Sequence, residues 1–289
     1  MKGMHPIFLA VSLAVAGLSA AAQETPTIPP VLQITREFVK PYKGGMAHDK
    51  TESAFIAAMT RAKFPAHYVA LNSLSGKARA LFLTRYASFA EWEKDNKLAD
   101  DNPVLSADLE RAGLADGELL ESVDSGVFTY DADLSYHPRG DLSHARFVEI
   151  TVFKVKPGHV DDWRKLTKMV KEAHDKAGTS AHWATFEGAY GVDSDTYIVI
   201  TGHKAMEAID TEYSEEKKFR DALGEQGYKG LSELYGQTVE GSRSELFSIN
   251  PKQSYVSEEW IKADPEFWKP KPPAMHAPKP ATEPKKTNE

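Results

Sequence analysis

The chain repeats one pattern of residues, and this internal repeat constrains the fold more than any other feature of the sequence. The tripeptide Ala66–Tyr68 (AHY) returns as Ala181–Trp183 (AHW), and the run Ala80–Tyr86 (ALFLTRY) returns as Tyr197–His203 (YIVITGH). The first pair is offset by 115 residues (67 to 182) and the second by 117 (84 to 201). A repeat with so constant an offset indicates a duplicated structural unit.

The second copy shows most clearly which elements the unit contains. Arg146–Lys156 alternates polar and apolar residues as a strand does, and a Pro-Gly pair ends it. Apolar residues at helical spacing follow over 160–177. Ala181–His203 is rich in aromatic and β-branched residues and predicts a β-hairpin with its turn at Val192–Asp195. The rest of the copy predicts helical segments between about 205 and 235, then a strand around Ser244–Ile249.

The first copy predicts the same order of elements. Its expected strands and helices are Ile34–Tyr42, Met46–Ala62, His67–Leu74, Arg79–Tyr86, a helix capped by Ser88, a short helix around Ser106–Ala112 and a strand at Gly126–Tyr130. Each copy therefore contains a split βαβ unit. Because each sheet has a face that must be covered, we expect an α+β protein. Its two tandem ferredoxin-like (split βαβ) repeats would pack sheet to sheet as a pseudo-two-fold α/β barrel.

The repeat also sets the predicted domain boundaries. These are repeat 1 at residues 33–136, a linker at 137–145, repeat 2 at 146–256 and a C-terminal tail at 257–289. Proline and lysine dominate the end of the tail, so residues after about 270 are expected to be disordered. The large aromatic residues before that point, Trp260, Phe267 and Trp268, are expected to pack back on the domain.

The N-terminus has the layout of a secretory signal. Lys2 precedes an apolar run from Ile7 to Leu18, and small residues follow up to Ala22, where we expect cleavage. The run is too short for a membrane span, which needs roughly 20 apolar residues. Residues 23–32 would then form a proline-bearing leader. The sequence predicts an exported protein, periplasmic or secreted, with no membrane span after cleavage.

Several classes of function are excluded by what the sequence lacks. The formal net charge is −7 and no long basic stripe occurs, so we expect no nucleic-acid partner. Phosphate-binding loops, dinucleotide fingerprints and serine or cysteine nucleophile signatures are missing, and no cysteine is present for disulfides. Two oligomeric states stay open, a monomer with an internal pseudo-dimer and a homodimer.

The order of elements, the K-P-G-x-x-x-x-W run at Lys156–Trp163 and the hairpin after the helix resemble the dimeric α/β-barrel superfamily. That superfamily includes the antibiotic-biosynthesis-type monooxygenases, NIPSNAP-like proteins and, as fused pairs, the chlorite dismutase type. The resemblance implies two chemistries. Cofactor-free oxygenation would need an aromatic pocket with polar activators, and haem chemistry would need a proximal histidine in the second half.

Strand alternation divides the residues of the second copy between two faces. Apolar residues such as Ile150 and Ile200 are expected to lie under the helices, which leaves a polar and aromatic face toward the space between the sheets. Its predicted members are Glu149, Thr151, Trp183, Thr185, Glu187, Tyr197, Thr201 and His203, with Arg36, Tyr68 and Arg85 as counterparts in the first copy. Such a face suits a ligand pocket better than a dry core.

Histidines and carboxylates are the candidates for chemistry. His203 at a strand end could abstract a proton with help from Glu149 or Glu187. His67 and His182 occupy equivalent positions in the two copies, where they could ligate haem or another metal, or serve as structural hydrogen-bonding groups.

The most economical function is binding of a small aromatic or apolar ligand between the sheets, without a cofactor. The alternatives are an oxidoreductase, either cofactor-free or haem-dependent, and a structural or interaction protein.

Overall fold

The computed structural model describes residues 28–140 and 142–269. The predicted signal at 1–22, the first five residues of the leader and the tail from residue 270 onward lie outside this described part. Within the described residues, no helix combines the length and the apolar character needed to cross a membrane.

Eight strands and seven helices make up the described chain. The strands are β1 (Val31–Val39), β2 (Tyr68–Ser73), β3 (Arg79–Tyr86), β4 (Leu120–Tyr136), β5 (Phe147–Val155), β6 (Trp183–Tyr190), β7 (Thr196–His203) and β8 (Val239–Ile249). The helices are α1 (Met46–Ala62), α2 (Phe89–Asp100), α3 (Pro103–Gly117), α4 (Val160–Ala177), α5 (Glu207–Thr238), α6 (Glu258–Ala263) and α7 (Pro265–Trp268).

The strands form one closed antiparallel barrel in the order β1-β3-β2-β8-β5-β7-β6-β4. Within each half of the chain, the fourth strand pairs with the first, the first with the third and the third with the second. The two halves join where β2 pairs with β8 and where β4 pairs with β6. The structure is therefore a mixed α/β fold built on one large antiparallel sheet, with helices outside it.

Most elements lie where the sequence predicts them. The largest difference in bounds is in β4, which runs from Leu120 to Tyr136 instead of Gly126 to Tyr130, and two smaller differences have local causes. Strand β1 starts at Val31 instead of Ile34 because Val31 already pairs with β3 on one side and β4 on the other. Helix α3 begins at Pro103 because the side chain of Asn102 accepts a hydrogen bond from the Leu105 backbone N–H. Proline at the first helical position and Asn at the N-cap are a favourable start.

The barrel interior is apolar. Alternate residues of every strand form its main hydrophobic core, which includes Leu32, Val69, Leu83, Phe128, Val148, Ile150, Phe186, Ile198, Ile200 and Phe247. An eight-stranded barrel has an interior just wide enough for its own side chains to fill. Few polar groups could find hydrogen-bond partners in such a space, so the most apolar positions of each strand point inward.

The prediction that polar residues face the interior was wrong for the second copy. Tyr197, for example, packs on Trp163 of α4 with ring centres 5.5 Å apart, while its neighbour Ile198 belongs to the interior core. The residues that lie on the outer face, against the helices, are Glu149, Thr151, Trp183, Thr185, Glu187, Tyr197, Thr201 and His203, together with Tyr68 of the first copy. Arg36 and Arg85 do share the inner face, in alternation with Ile34 and Leu83.

The last described residues cover one end of the barrel, as the sequence predicts. Trp260 and Trp268 are both buried and join the interior core, with Phe267 packed against it. The Trp268 indole N–H donates to the backbone carbonyl of Ser143 at 2.9 Å. Asp264 forms an ion pair with Arg146 at the start of β5.

We expect Trp268→Ala to lower the free energy of unfolding by about 3–5 kcal/mol, because a buried aromatic side chain and its hydrogen bond are lost. Urea denaturation followed by circular dichroism measures this. Tyr213→Ala removes an aromatic ring that is 76% exposed and should change stability by less than about 0.5 kcal/mol. Equal effects of the two substitutions would show that α6 and α7 do not support the barrel.

Candidate functional site

A pocket opens at the end of the barrel that the C-terminal segment covers. Its body is formed by inward-facing apolar residues, which are Leu32, Val69, Leu83, Ala184, Phe186 and Ile200, and Trp260 forms one wall. The cavity volume is about 90 Å³, whereas one water needs roughly 10–15 Å³. The pocket therefore has room for a small organic group.

The charged side chains that line this pocket, within the described part of the chain, are all cationic. They are Arg85, Arg139 and Lys204. The Arg85 guanidinium lies over the Trp260 ring, 4.9 Å from its centre, which holds its planar face against the aromatic wall. The pocket thus combines an apolar body with a positively charged lining.

The two histidines named as haem candidates do not fit that role. His182 lines the pocket, but its Nδ1 and Nε2 atoms lie 3.2 Å from the backbone carbonyls of Ser180 and Gly202, so both nitrogens are engaged with main-chain oxygens. Burial, and then the charge of Arg139, lower its pKa. His67 lies in the first half, and its ring stacks on Tyr255 at 4.7 Å between centres. The contacts of His182 and His67 are those of histidines with a structural role.

His203, by contrast, lies in a buried group of titratable residues between the sheet and α5. Its Nδ1 atom is 3.8 Å from Oε1 of Glu212, and donor atoms of Glu149, His203 and Glu212 all lie within 4.8 Å of one another. The His203 side chain is 0% exposed, and neither ring nitrogen has a hydrogen-bond partner. We call these three residues the His203 group.

Burial controls the protonation of this group. It lowers the pKa of His203, with the charges of His182 and Arg139 adding to the effect. Burial also raises the pKa of Glu149. It raises the pKa of Glu212 to about 7, and the negative charge of Glu149 is the second largest cause of that increase. An imidazole whose pKa is lowered, beside two carboxyl groups whose pKa values are raised, can accept or share a proton, or hold a cation.

The structure brings together only part of the predicted catalytic set. His203 and Glu149 meet, but Glu187 instead receives a hydrogen bond from the Tyr197 hydroxyl at 3.5 Å. The sequence reasoning missed Glu212, which lies three residues after Ile209 and hence on the same helix face. The three-residue spacing between Ile209 and Glu212 was the feature of the sequence from which Glu212 could have been predicted to face the sheet.

The predicted ligand-binding residues are mostly engaged elsewhere. Arg85 and Trp183 line the pocket. The others have partners within the fold or are buried in it: Thr151 bonds Ser244, Thr185 bonds Leu134, Thr201 bonds the carbonyl of His182, Arg36 pairs with Asp124, and Tyr68 and Tyr197 are buried. Their roles in ligand binding stay predictions.

Comparison with known proteins identifies the fold. No protein-family model and no curated protein matches the sequence. A Fusobacterium nucleatum subsp. nucleatum protein described as a "Putative monooxygenase" superimposes with a TM-score of 0.52 at 11% identity, over 77% of this chain and 93% of that one. An anthrone oxidase-like protein gives 0.48 at 13% identity, over 76% and 92%. A mutant chlorite dismutase from Candidatus Nitrospira defluvii gives 0.45 at 10% identity, over 83% and 98%.

At such low identity the likeness shows the fold alone. The chain shares its fold with the Fusobacterium nucleatum protein, and this agrees with the dimeric α/β-barrel type of architecture that its sequence resembles. Its function has to be argued from its own residues.

The raised pKa of Glu212 predicts a pH-dependent cost of folding. A carboxyl group whose folded pKa lies above its unfolded value binds more protons when folded, so stability falls as pH rises from 4.5 to about 7. The shift sets an upper limit of about 3 kcal/mol. Because water reaches 30% of this side chain, we expect about 1–2 kcal/mol.

Glu212→Gln should therefore gain stability over the wild type by this amount between pH 5 and pH 8, measured by urea denaturation at each pH. Glu216→Gln, at an exposed position one turn further along the same helix, is the matched control and should show no such trend. If the difference in free energy of unfolding between Glu212→Gln and the wild type did not change with pH, Glu212 would not have a raised pKa in the folded protein.

Proposed function

We propose that this protein binds a small apolar molecule that carries an anionic group, in the pocket at the barrel end. The supporting observation is the pairing of an apolar body with a lining whose charged side chains are all cationic among the described residues. Ligand pockets are mostly apolar, with a few placed polar groups that fix orientation. Here those groups favour a carboxylate or a similar anion.

The position of the pocket supports the same proposal. Its body belongs to the rigid barrel, so the apolar part of a ligand meets a preformed surface. Lys204 is exposed and Arg139 lies in the linker, so both can attract an anion from solvent. The pocket accepts the apolar part and the cations select its charged end.

We also infer that the barrel is a fusion of two tandem ferredoxin-like repeats. The two halves share their element order and their strand order of fourth, first, third, second. In this arrangement the pairing of the halves takes the place of a dimer of single repeats. Export, predicted from residues 1–22, belongs to the same proposal and places the ligand outside the cytoplasm.

A matched pair of probes tests the charge requirement. We expect 4-ethylbenzoate to bind at least about tenfold more tightly than 4-ethylbenzyl alcohol, measured by isothermal titration calorimetry, because only the benzoate carries an anion. Lys204→Gln should weaken benzoate binding while leaving alcohol binding unchanged. A tenfold difference corresponds to about 1.4 kcal/mol, which is more than the roughly 0.2–1 kcal/mol of one exposed charge pair, so it requires a contribution from more than one of the three cations.

Two further variants control for non-specific effects. Ala184→Leu adds bulk to the pocket wall and should weaken both probes, whereas Lys168→Gln on exposed α4 surface should weaken neither. Equal affinity for the two probes, or equal loss with Lys168→Gln, would refute an anion-selective pocket.

A second candidate function is an oxidoreductase on this scaffold, and the His203 group favours it. A fully buried imidazole with no hydrogen-bond partner can accept a proton from an activated phenol or carbon acid. The Fusobacterium nucleatum protein described as a monooxygenase has the same fold. This candidate ranks second because His203 faces α5, on the opposite side of the sheet from the pocket.

The absorption spectrum of protein purified from its own host separates the versions of this candidate. A Soret band lost in His203→Gln would establish a haem enzyme with His203 as ligand. A colourless protein that takes up oxygen with activated phenols, and loses this in His203→Gln, would establish the cofactor-free version. If neither the Soret band nor the oxygen uptake is observed, the oxidoreductase candidate is refuted and ligand binding is left as the function.

A further inference from the structure

A second buried group of titratable side chains lies on the opposite half of the barrel, beneath α1. It consists of Glu37 from β1, His48 and Glu52 from α1, and Asp116 from α3. We call these four residues the His48 group. It is unrelated to the pocket and to the His203 group. The sequence shows only half of it, because His48 and Glu52 lie four residues apart on one helix but Glu37 and Asp116 are far from them along the chain.

The four donor atoms of this group lie within 4.8 Å of one another, close enough for one metal ion to contact all of them. From Nε2 of His48, Oε2 of Glu37 lies at 3.0 Å, Oδ1 of Asp116 at 3.4 Å and Oε1 of Glu52 at 3.7 Å. A tetrahedral centre with bonds of about 2.0–2.2 Å places its ligand atoms about 3.3–3.6 Å apart. The three observed distances, from 3.0 to 3.7 Å, lie within that range or a few tenths of an ångström outside it.

The group also contains more carboxyl groups than its one imidazole can pair with. Three carboxyl groups face one imidazole, and three of the four side chains are 2–4% exposed. The Oε1 atom of Glu52, which points at His48, is buried without a hydrogen-bond partner. Buried charges without partners are costly unless they pair or coordinate a metal.

The surroundings of the imidazole fit a metal ligand. A ligating histidine usually donates its other ring N–H to an oxygen that fixes its orientation. The side-chain amide of Gln253, itself 0% exposed, lies 3.2 Å from Nδ1 of His48, and its Oε1 atom has no hydrogen-bond partner. With the amide turned so that Oε1 faces Nδ1, this oxygen accepts the N–H and leaves Nε2 free to ligate.

We propose that Glu37, His48, Glu52 and Asp116 bind one divalent first-row transition-metal ion, with Zn²⁺ as the best fit. One imidazole and three carboxylate oxygens suit Zn²⁺, Fe²⁺ or Mn²⁺. The tetrahedral spacing favours Zn²⁺, and four donors are too few for the six to eight that Ca²⁺ takes.

The site would be structural. All four positions are filled by protein atoms, and the most accessible member is Glu37, whose side chain is 13% exposed. A closed four-ligand site is typical of structural zinc. The ion would join β1, α1 and α3, and the turn after β8 through Gln253.

The first test uses the purified chain after dialysis against dipicolinate. Adding Zn²⁺ should restore one ion per chain by mass spectrometry and raise the Tm by roughly 5–10 °C at a hundredfold excess over Kd. Co²⁺ in its place should give the intense visible absorption of a tetrahedral site. A wild-type chain that shows neither stoichiometric Zn²⁺ nor a Tm rise would overturn the proposal.

Matched variants assign the site. Glu52→Gln keeps the shape of the side chain but removes a charged ligand, so the affinity for Zn²⁺ should fall by more than the roughly 10–100-fold typical of losing an outer-shell partner. Its circular dichroism spectrum reports whether it folds. Asp95→Asn changes another buried carboxyl group, on α2, and should bind Zn²⁺ as the wild type does.

A third variant separates the two titratable groups. If Glu149→Gln abolished Zn²⁺ binding while folded Glu52→Gln kept it, the ion would belong to the His203 group and the assignment to the His48 group would be wrong. Retained Zn²⁺ in Glu149→Gln, with loss in Glu52→Gln, is the expected result.

Discussion

Every strand of this barrel has a hydrogen-bonded neighbour on both sides, and the rest of the structure depends on that closure. Two short ladders complete it, one between β2 and β8 and one between β4 and β6. Among the eight described strands, closure leaves no exposed sheet edge to attract another strand. It also makes the interior a narrow space that the strands' own side chains must fill.

That constraint decides where polar chemistry can be located. The interior accepts apolar residues along most of its length, so ionisable side chains are confined to the two barrel ends, as with Arg85 at one end and the Arg79–Glu245 pair at the other, and to the layer between sheet and helices. Both buried titratable groups, around His48 and around His203, lie in that second layer. There a helix can supply one partner and a strand another, as α5 supplies Glu212 to His203 of β7.

The sequence predicts the order and type of the elements well, because each depends on local periodicity and caps. Helix α4 and the β6–β7 hairpin follow directly from spacing and turn residues. It does not predict which face of a strand points inward, because alternation gives two faces and only closure selects one. Nor does it predict the His48 group, since Glu37 and Asp116 meet only through the packing of α1 and α3 on the sheet.

The ladder between β2 and β8 joins positions that are far apart in the chain, as in the pairing of Leu71 with Ile249. Contacts of this kind raise the relative contact order, which slows folding because long loops must close before the contacts form. The first half of the chain cannot complete its sheet until the final strand has been made. The time between the synthesis of the first half and the closure of the barrel is thus when this protein is most exposed to aggregation.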